Sequence, residues 1–217
     1  MNKPFTWFVK ITGYPLEHFY YRKKIHYENG DKNLRKIEAP ALIISNHTSV
    51  YDYPLIWYTF PTKTIRTLVG EGLYKYKSLK RLLNHMGGIK VDRQNFDFSF
   101  LTTMSQCLKK GQFGLIFPES RVPTEKDPPG LLEFKPSYVY IALENNVPII
   151  PVYVNGMYGK KKRKANKQRA RIMIGKPIIP TLLLDEKKTI KENIISINNF
   201  VKNKIEQLKK ELEKQTS

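Results

Sequence analysis

The sequence predicts an α/β fold, a single-domain sandwich in which a central, mainly β sheet is flanked by helices. Three observations lead there. Short apolar runs alternate along the chain with segments of helical periodicity, the pattern of strands and helices layered on one sheet. A length of 217 residues suits one domain with a substantial core. An apolar run, Ala41-Leu42-Ile43-Ile44, enters a polar turn and then a helical segment, which is where α/β proteins place their chemistry.

Taken in order, residues 4–25 mix aromatic and basic side chains, among them Trp7, Phe8, Tyr14, Phe19, Lys10 and Lys23. Such a mixture suits a membrane headgroup layer, and equally an N-terminal helix packed on the core. Residues 24–28 and 41–45 read as strands, and residues 53–60 as a helix. Residues 68–70 are apolar and short. Residues 79–86 are helical in pattern and are stopped by Gly87-Gly88. A brief strand is expected over 89–91, a helix over 96–110, a strand over 113–117 and a helix over 138–145. The run 147–154 is a strand that Pro148 and Pro151 assign to an edge or irregular position. Residues 171–174 form a further strand. From 187 to 214, Ile190, Ile194, Ile197, Val201, Ile205, Leu208 and Leu212 line one stripe of a long amphipathic helix. The chain thus divides into an N-terminal aromatic and basic membrane-contacting segment (1–25), a main domain (26–185) and a C-terminal amphipathic helix (186–217).

Bulk properties narrow the function. The net charge of +19, from 38 basic and 19 acidic residues, predicts an anionic partner: a phospholipid surface, an acidic carrier protein or nucleic acid. The run from Lys160 to Lys164, with Lys167, Arg169 and Arg171, is a basic loop of the same ambiguity. Nucleic acid is disfavoured, because no RNA-recognition signature, helix-turn-helix or zinc spacing occurs. The one cysteine, Cys107, excludes an internal disulfide and reads as a core thiol. No metal cluster is expected. Lys3, Lys10 and Glu17 interrupt any signal peptide, and no apolar run reaches the roughly 18 residues of a spanning helix. The expectation is a peripheral protein on the cytoplasmic face of a membrane.

The chemistry centres on Asn46-His47-Thr48-Ser49-Val50-Tyr51-Asp52. A neutral imidazole whose tautomer is held by an aspartate can take a proton from a hydroxyl at pH 7. His26 and Asp31 share the spacing but lie in a basic, turn-like context, so that pair reads as coincidence. Farther along, Arg93 follows a strand, and Glu119 and Arg121 follow Phe117-Pro118. Arginine presents a planar fork to phosphate oxygens, so two of them beside a base suggest a phosphorylated alcohol.

Together these segments resemble the glycerolipid acyltransferase family, whose best-known members are lysophosphatidic acid acyltransferases. Asn46, His47 and Asp52 match Asn-His-x4-Asp. Gly88, Ile89, Val91 and Arg93 match Gly-x-Ile-x-Val-x-Arg. Phe117, Pro118, Glu119 and Arg121 match part of Phe-Pro-Glu-Gly-Thr-Arg, with Ser120 alone standing for Gly-Thr. Residues 147–152 match Val-Pro-Ile-Val-Pro-Val. The likeness covers roughly residues 40–180. It implies a glycerolphosphate-acyltransferase-like fold and transfer of a fatty acyl group from acyl-CoA or acyl carrier protein to lysophosphatidic acid, giving phosphatidic acid. Another lysophospholipid or glycerol 3-phosphate is the alternative acceptor. His47 would be the general base and Asp52 its orienting group, with Asn46, Arg93, Glu119 and Arg121 binding substrate. No bound cofactor is implied. A thioesterase-like hydrolase and a catalytically silent lipid-binding relative are the rival readings.

Overall fold

The computed structural model describes residues 3–38, 40–60, 62–92, 98–156 and 169–216. Its helices are α1 (Lys3–Tyr21), α2 (Asp52–Thr59), α3 (Lys77–Met86), α4 (Ser99–Lys109), α5 (Ser137–Glu144) and α6 (Ile190–Lys214). Its strands are β1 (Lys24–Tyr27), β2 (Ala41–Ser45), β3 (Ile65–Gly70), β4 (Gly88–Val91), β5 (Phe113–Ile116), β6 (Ile149–Asn155) and β7 (Arg171–Ile174). Among the described residues they form one sheet in the order β1-β7-β6-β2-β5-β3-β4. Every neighbouring pair is parallel except β6 and β7.

Side chains alternate across the sheet with period two, so each strand feeds two cores. Leu42 and Ile44 of β2 face a core closed by Met104 of α4, Tyr138 and Ile141 of α5, and Ile197, Val201, Ile205 and Leu208 of α6. Ala41 and Ile43 face the other core, with Leu55, Ile56 and Trp57 of α2 and Met86 of α3. The result is the expected sandwich. β5 bears Gly114, where a Cβ would lie 2.4 Å from a Leu42 methyl and 2.8 Å from Met104 Sδ; α4 therefore packs directly on the strand. Gly87 ends α3 in the left-handed region (φ 94°), as a helix C-cap requires.

Three expectations are corrected. β6 is not an edge strand but lies between β2 and β7. The sheet tolerates its prolines for positional reasons. Pro148 precedes the strand and offers its carbonyl to Leu42 N–H. Pro151 accepts from Gly175 N–H, and the ladder to β7 starts only at Val152 and Ile174, so the donor proline lacks falls beyond it. Residues 68–70 are the end of a longer strand that begins at Ile65. Ile190 is exposed rather than on the buried stripe, which runs from Ile194 onward. The start of the helix expected from residue 96 falls partly outside the described residues, as do Lys160–Lys164 and Lys167 of the basic loop.

α6 is anchored at its start and again past its middle. A capping box between Thr189 and Glu192 opens it. Farther along, Lys204 Nζ donates to buried Glu28 Oε1 at 2.6 Å, while Lys176 N–H donates to Oε2 at 2.7 Å. α1 packs beside α2: Tyr58 Oη donates to the Val9 carbonyl, and the Tyr21 and Tyr51 rings lie 5.9 Å apart. Trp7, Phe8, Ile11 and Phe19 remain exposed on α1.

Candidate active site

β2 and β5 are parallel neighbours, yet the chain leaves them for opposite faces: β2 leads to α2 and β5 to α5. Such a reversal opens a crevice at the carboxyl ends of the strands. The turn after β2 carries His47, and the turn after β5 carries Phe117, Pro118 and Glu119.

Within the β2 turn, Asp52 is completely buried at the start of α2. Its Oδ2 accepts from Thr48 N–H (2.5 Å) and Ser49 N–H (2.8 Å), and its Oδ1 accepts from the Thr48 hydroxyl (3.0 Å). Oδ2 also meets His47 Nδ1 at 2.9 Å. An ionised carboxylate only accepts, so Nδ1 carries the proton and Nε2 is the basic nitrogen. Phe117 stacks on the imidazole, with ring centroids 4.4 Å apart and planes at 21°. The ring is thus fixed by a carboxylate at its edge and an aromatic on its face.

Glu119 supports the turn from beneath. Oε1 accepts from His47 N–H (2.8 Å) and Oε2 from Leu132 N–H (3.0 Å), tying the β2 turn to two points of the connection between β5 and α5. Burial pushes its carboxyl above the ordinary range, and the two main-chain donors pull it partly back. Asn46 is also buried. Its amide pairs with both polar main-chain groups of Val154, donating to the carbonyl (3.0 Å) and accepting from the N–H (2.7 Å).

The expected substrate-binding residues therefore separate. Asn46 and Glu119 spend their polar atoms on the main chain around the His47 turn. Arg121 is exposed and forks onto Asp127, at 2.7 and 2.5 Å, holding that carboxyl well below its usual range. Ser120, not Arg121, lines the crevice; it adopts φ 65°, a region where glycine is the natural occupant. Arg93 lies outside the described residues, although Val91 and Asp92 before it line the crevice. The His26 and Asp31 side chains go elsewhere, to Gln215 and to Asn33 N–H.

The crevice itself has a volume of about 650 Å³ and mainly apolar walls, including Val69, Leu73, Leu83, Phe98, Phe100 and Ile116. His47 sits on its lining together with Lys135, Ser120 and Ser137. Two of these contributors, Lys135 and the stacking ring of Phe117, have no site role in the sequence reading. Their signal was present in Phe134-Lys135-Pro136 and in Phe117-Pro118, but not their direction.

A model of the Acyltransferase family matches residues 24–155, which span β1 to β6 and every described residue of the His47 turn. The chain belongs to the acyltransferase family. Among similar proteins, 1-acyl-sn-glycerol-3-phosphate acyltransferase beta of Homo sapiens is 25% identical over 162 residues, 71% of this chain and 56% of its own length. The 1-acyl-sn-glycerol-3-phosphate acyltransferase of Cocos nucifera is 30% identical over 123 residues, 54% of this chain and 38% of its own. This acyltransferase thus spans about half the length, or less, of the curated relatives it matches. Its fold is similar to the crystal structure of the 1-acyl-sn-glycerophosphate (LPA) acyltransferase PlsC from Thermotoga maritima, with a TM-score of 0.64, 21% identity, and coverage of 94% of this chain and 79% of that one.

Proposed function

We propose that this acyltransferase moves a fatty acyl group from an acyl thioester, of coenzyme A or acyl carrier protein, to the free hydroxyl of lysophosphatidic acid, forming phosphatidic acid. The observation that carries the reading is a histidine with its Nδ1 held by a buried aspartate, on the wall of a mainly apolar crevice. His47 Nε2 takes the proton of the acceptor hydroxyl. The oxygen attacks the thioester carbonyl, and the tetrahedral adduct collapses with loss of the thiol, which receives the proton from the imidazolium. Asp52 steadies the imidazolium throughout. The curated relatives carry names of this activity, which supports lysophosphatidic acid over other lysophospholipids and glycerol 3-phosphate.

For the acceptor phosphate, Lys135 is the cation that the described lining of the crevice supplies, with Arg93 assigned to it on its motif position. The apolar walls suit the acyl chain. Access from a bilayer is supported by the exposed side chains Val50 and Tyr51 beside the His47 turn and by those of α1. No helix among the described residues is long and apolar enough to cross a membrane. We place the enzyme peripherally on the cytoplasmic face, with an anionic membrane surface as partner.

Purified protein, labelled acyl-CoA or acyl carrier protein, and a panel of lysophosphatidic acid, glycerol 3-phosphate and other lysophospholipids test the proposal. Lipid chromatography should show phosphatidic acid made only with intact His47. Release of free fatty acid at one rate with or without any acceptor would make the protein a thioesterase instead.

A further inference from the structure

A second cavity, of about 760 Å³, lies between α1, α2 and β1. It is not part of the crevice. Asp52, at the start of α2, serves His47, whereas Trp57 and Tyr58, at the other end of that helix, wall this cavity. Its described lining brings together Lys10, Lys23, Arg35 and Lys63 and contains no carboxylate. A neighbouring hollow shares Lys23 and Arg35 and adds Lys32. The cations are interleaved with rings: Lys10 Nζ lies 4.7 Å from the centre of Trp57, and Lys23 Nζ lies 5.4 Å from Tyr14 and 5.8 Å from Tyr58.

Gathering like charges in a partly dry hollow is unfavourable by itself. Burial pushes Lys10 down to about 8 while its ammonium donates to the Lys63 carbonyl at 2.8 Å. An anion placed among these groups would be attracted by several cations at once. The walls narrow the choice of anion. Trp7, Ile11, Tyr14 and Trp57 give the cavity an apolar side, and on the same helix α1 Trp7, Phe8, Ile11 and Phe19 are exposed. Rings with one dry and one wet side suit the interface of a bilayer, where anionic headgroups draw in lysine and arginine.

We propose that the α1–α2–β1 cavity is a second, non-catalytic site that binds the phosphate headgroup of an anionic phospholipid. It would hold the enzyme on the membrane independently of substrate in the crevice. This goes beyond the proposed reaction and does not rest on it.

The chain provides its own probe. It contains two tryptophans, and both Trp7 and Trp57 line this cavity. Short-chain phosphatidylglycerol should produce a saturable change in tryptophan emission of the 217-residue chain. The double variant Arg35→Glu/Lys63→Glu should weaken that binding at least about tenfold, since two cations become two anions at the headgroup. The conservative double Arg35→Lys/Lys63→Arg should retain it. A control of equal charge change on α6, Lys209→Glu/Lys210→Glu, should leave it unaltered, and all variants should keep the wild-type circular dichroism. The site is overturned if phosphatidylglycerol gives no saturable change, or if the α6 control loses as much affinity as the cavity variant. A headgroup role is overturned if inorganic phosphate or coenzyme A produces the same change at the same concentration, which would mark a site for soluble phosphate.

Discussion

Asp52 serves two purposes with one carboxylate. It orients His47, and it collects the two N–H groups and the hydroxyl that shape the turn. The two residues should therefore respond differently to substitution. His47→Ala should lower kcat about 10³-fold with the melting temperature nearly unchanged, because the loss is confined to a partly exposed ring. Asp52→Asn should lower activity comparably and also destabilise the fold by about 1–3 kcal/mol, since an amide must turn an NH₂ toward donors or abandon them. Thermal melts beside single-turnover rates separate the two effects. Lys135→Ala is expected to raise the acceptor KM about tenfold, the loss of one charge-assisted contact, with kcat changed little. An unchanged KM for lysophosphatidic acid would remove Lys135 from the acceptor site. Asn46 and Glu119 show what burial demands of a polar side chain. A buried polar group must find partners, and both found main chain before any substrate could offer one.

At the scale of elements, the strands and helices follow local pattern closely. β2 and β5 are short apolar runs, α3 stops at its glycine pair, and α6 carries its stripe from Ile194 to Leu212. Two elements can be tested directly. Thr189→Ala removes the capping box of α6 and should cost about 1 kcal/mol in urea unfolding. Gly114→Ala should cost about 1–3 kcal/mol, because the added methyl meets Leu42 and Met104 in a packed layer. A neutral result would mean that α4 can slide on β5.

Across the whole molecule, Glu28 links the loop after β1 to the segment after β7 and to α6. Burial alone would raise its carboxyl. The Lys204 ammonium and the Lys176 N–H outweigh this and hold it below the ordinary 4.5. A depressed value in the fold means stability that is complete above 4.5 and lost as the pH falls through the folded value. Glu28→Gln should therefore destabilise the protein by about 1–3 kcal/mol at pH 7, with the gap to wild type closing in acid. Chemical denaturation across pH 3 to 7 would reveal it, and a gap that stays constant would dissociate Glu28 from the tie.

The sequence by itself determined the α/β class, most element bounds and the pairing of His47 with Asp52. Each depends on neighbours a few residues apart, where side-chain period and backbone preference act. Tertiary structure decided what those parts meet. Asn46 reaches Val154 across 108 residues and Glu119 reaches His47 across 72, by way of a strand order that local pattern does not encode. The same order put β6 inside the sheet despite its prolines. In the shortened turn after β5, Ser120 reached the crevice while Arg121 was drawn to Asp127. Which polar group faces substrate depends on which partners the fold brings within hydrogen-bonding distance first, and that is a property of the assembled sheet.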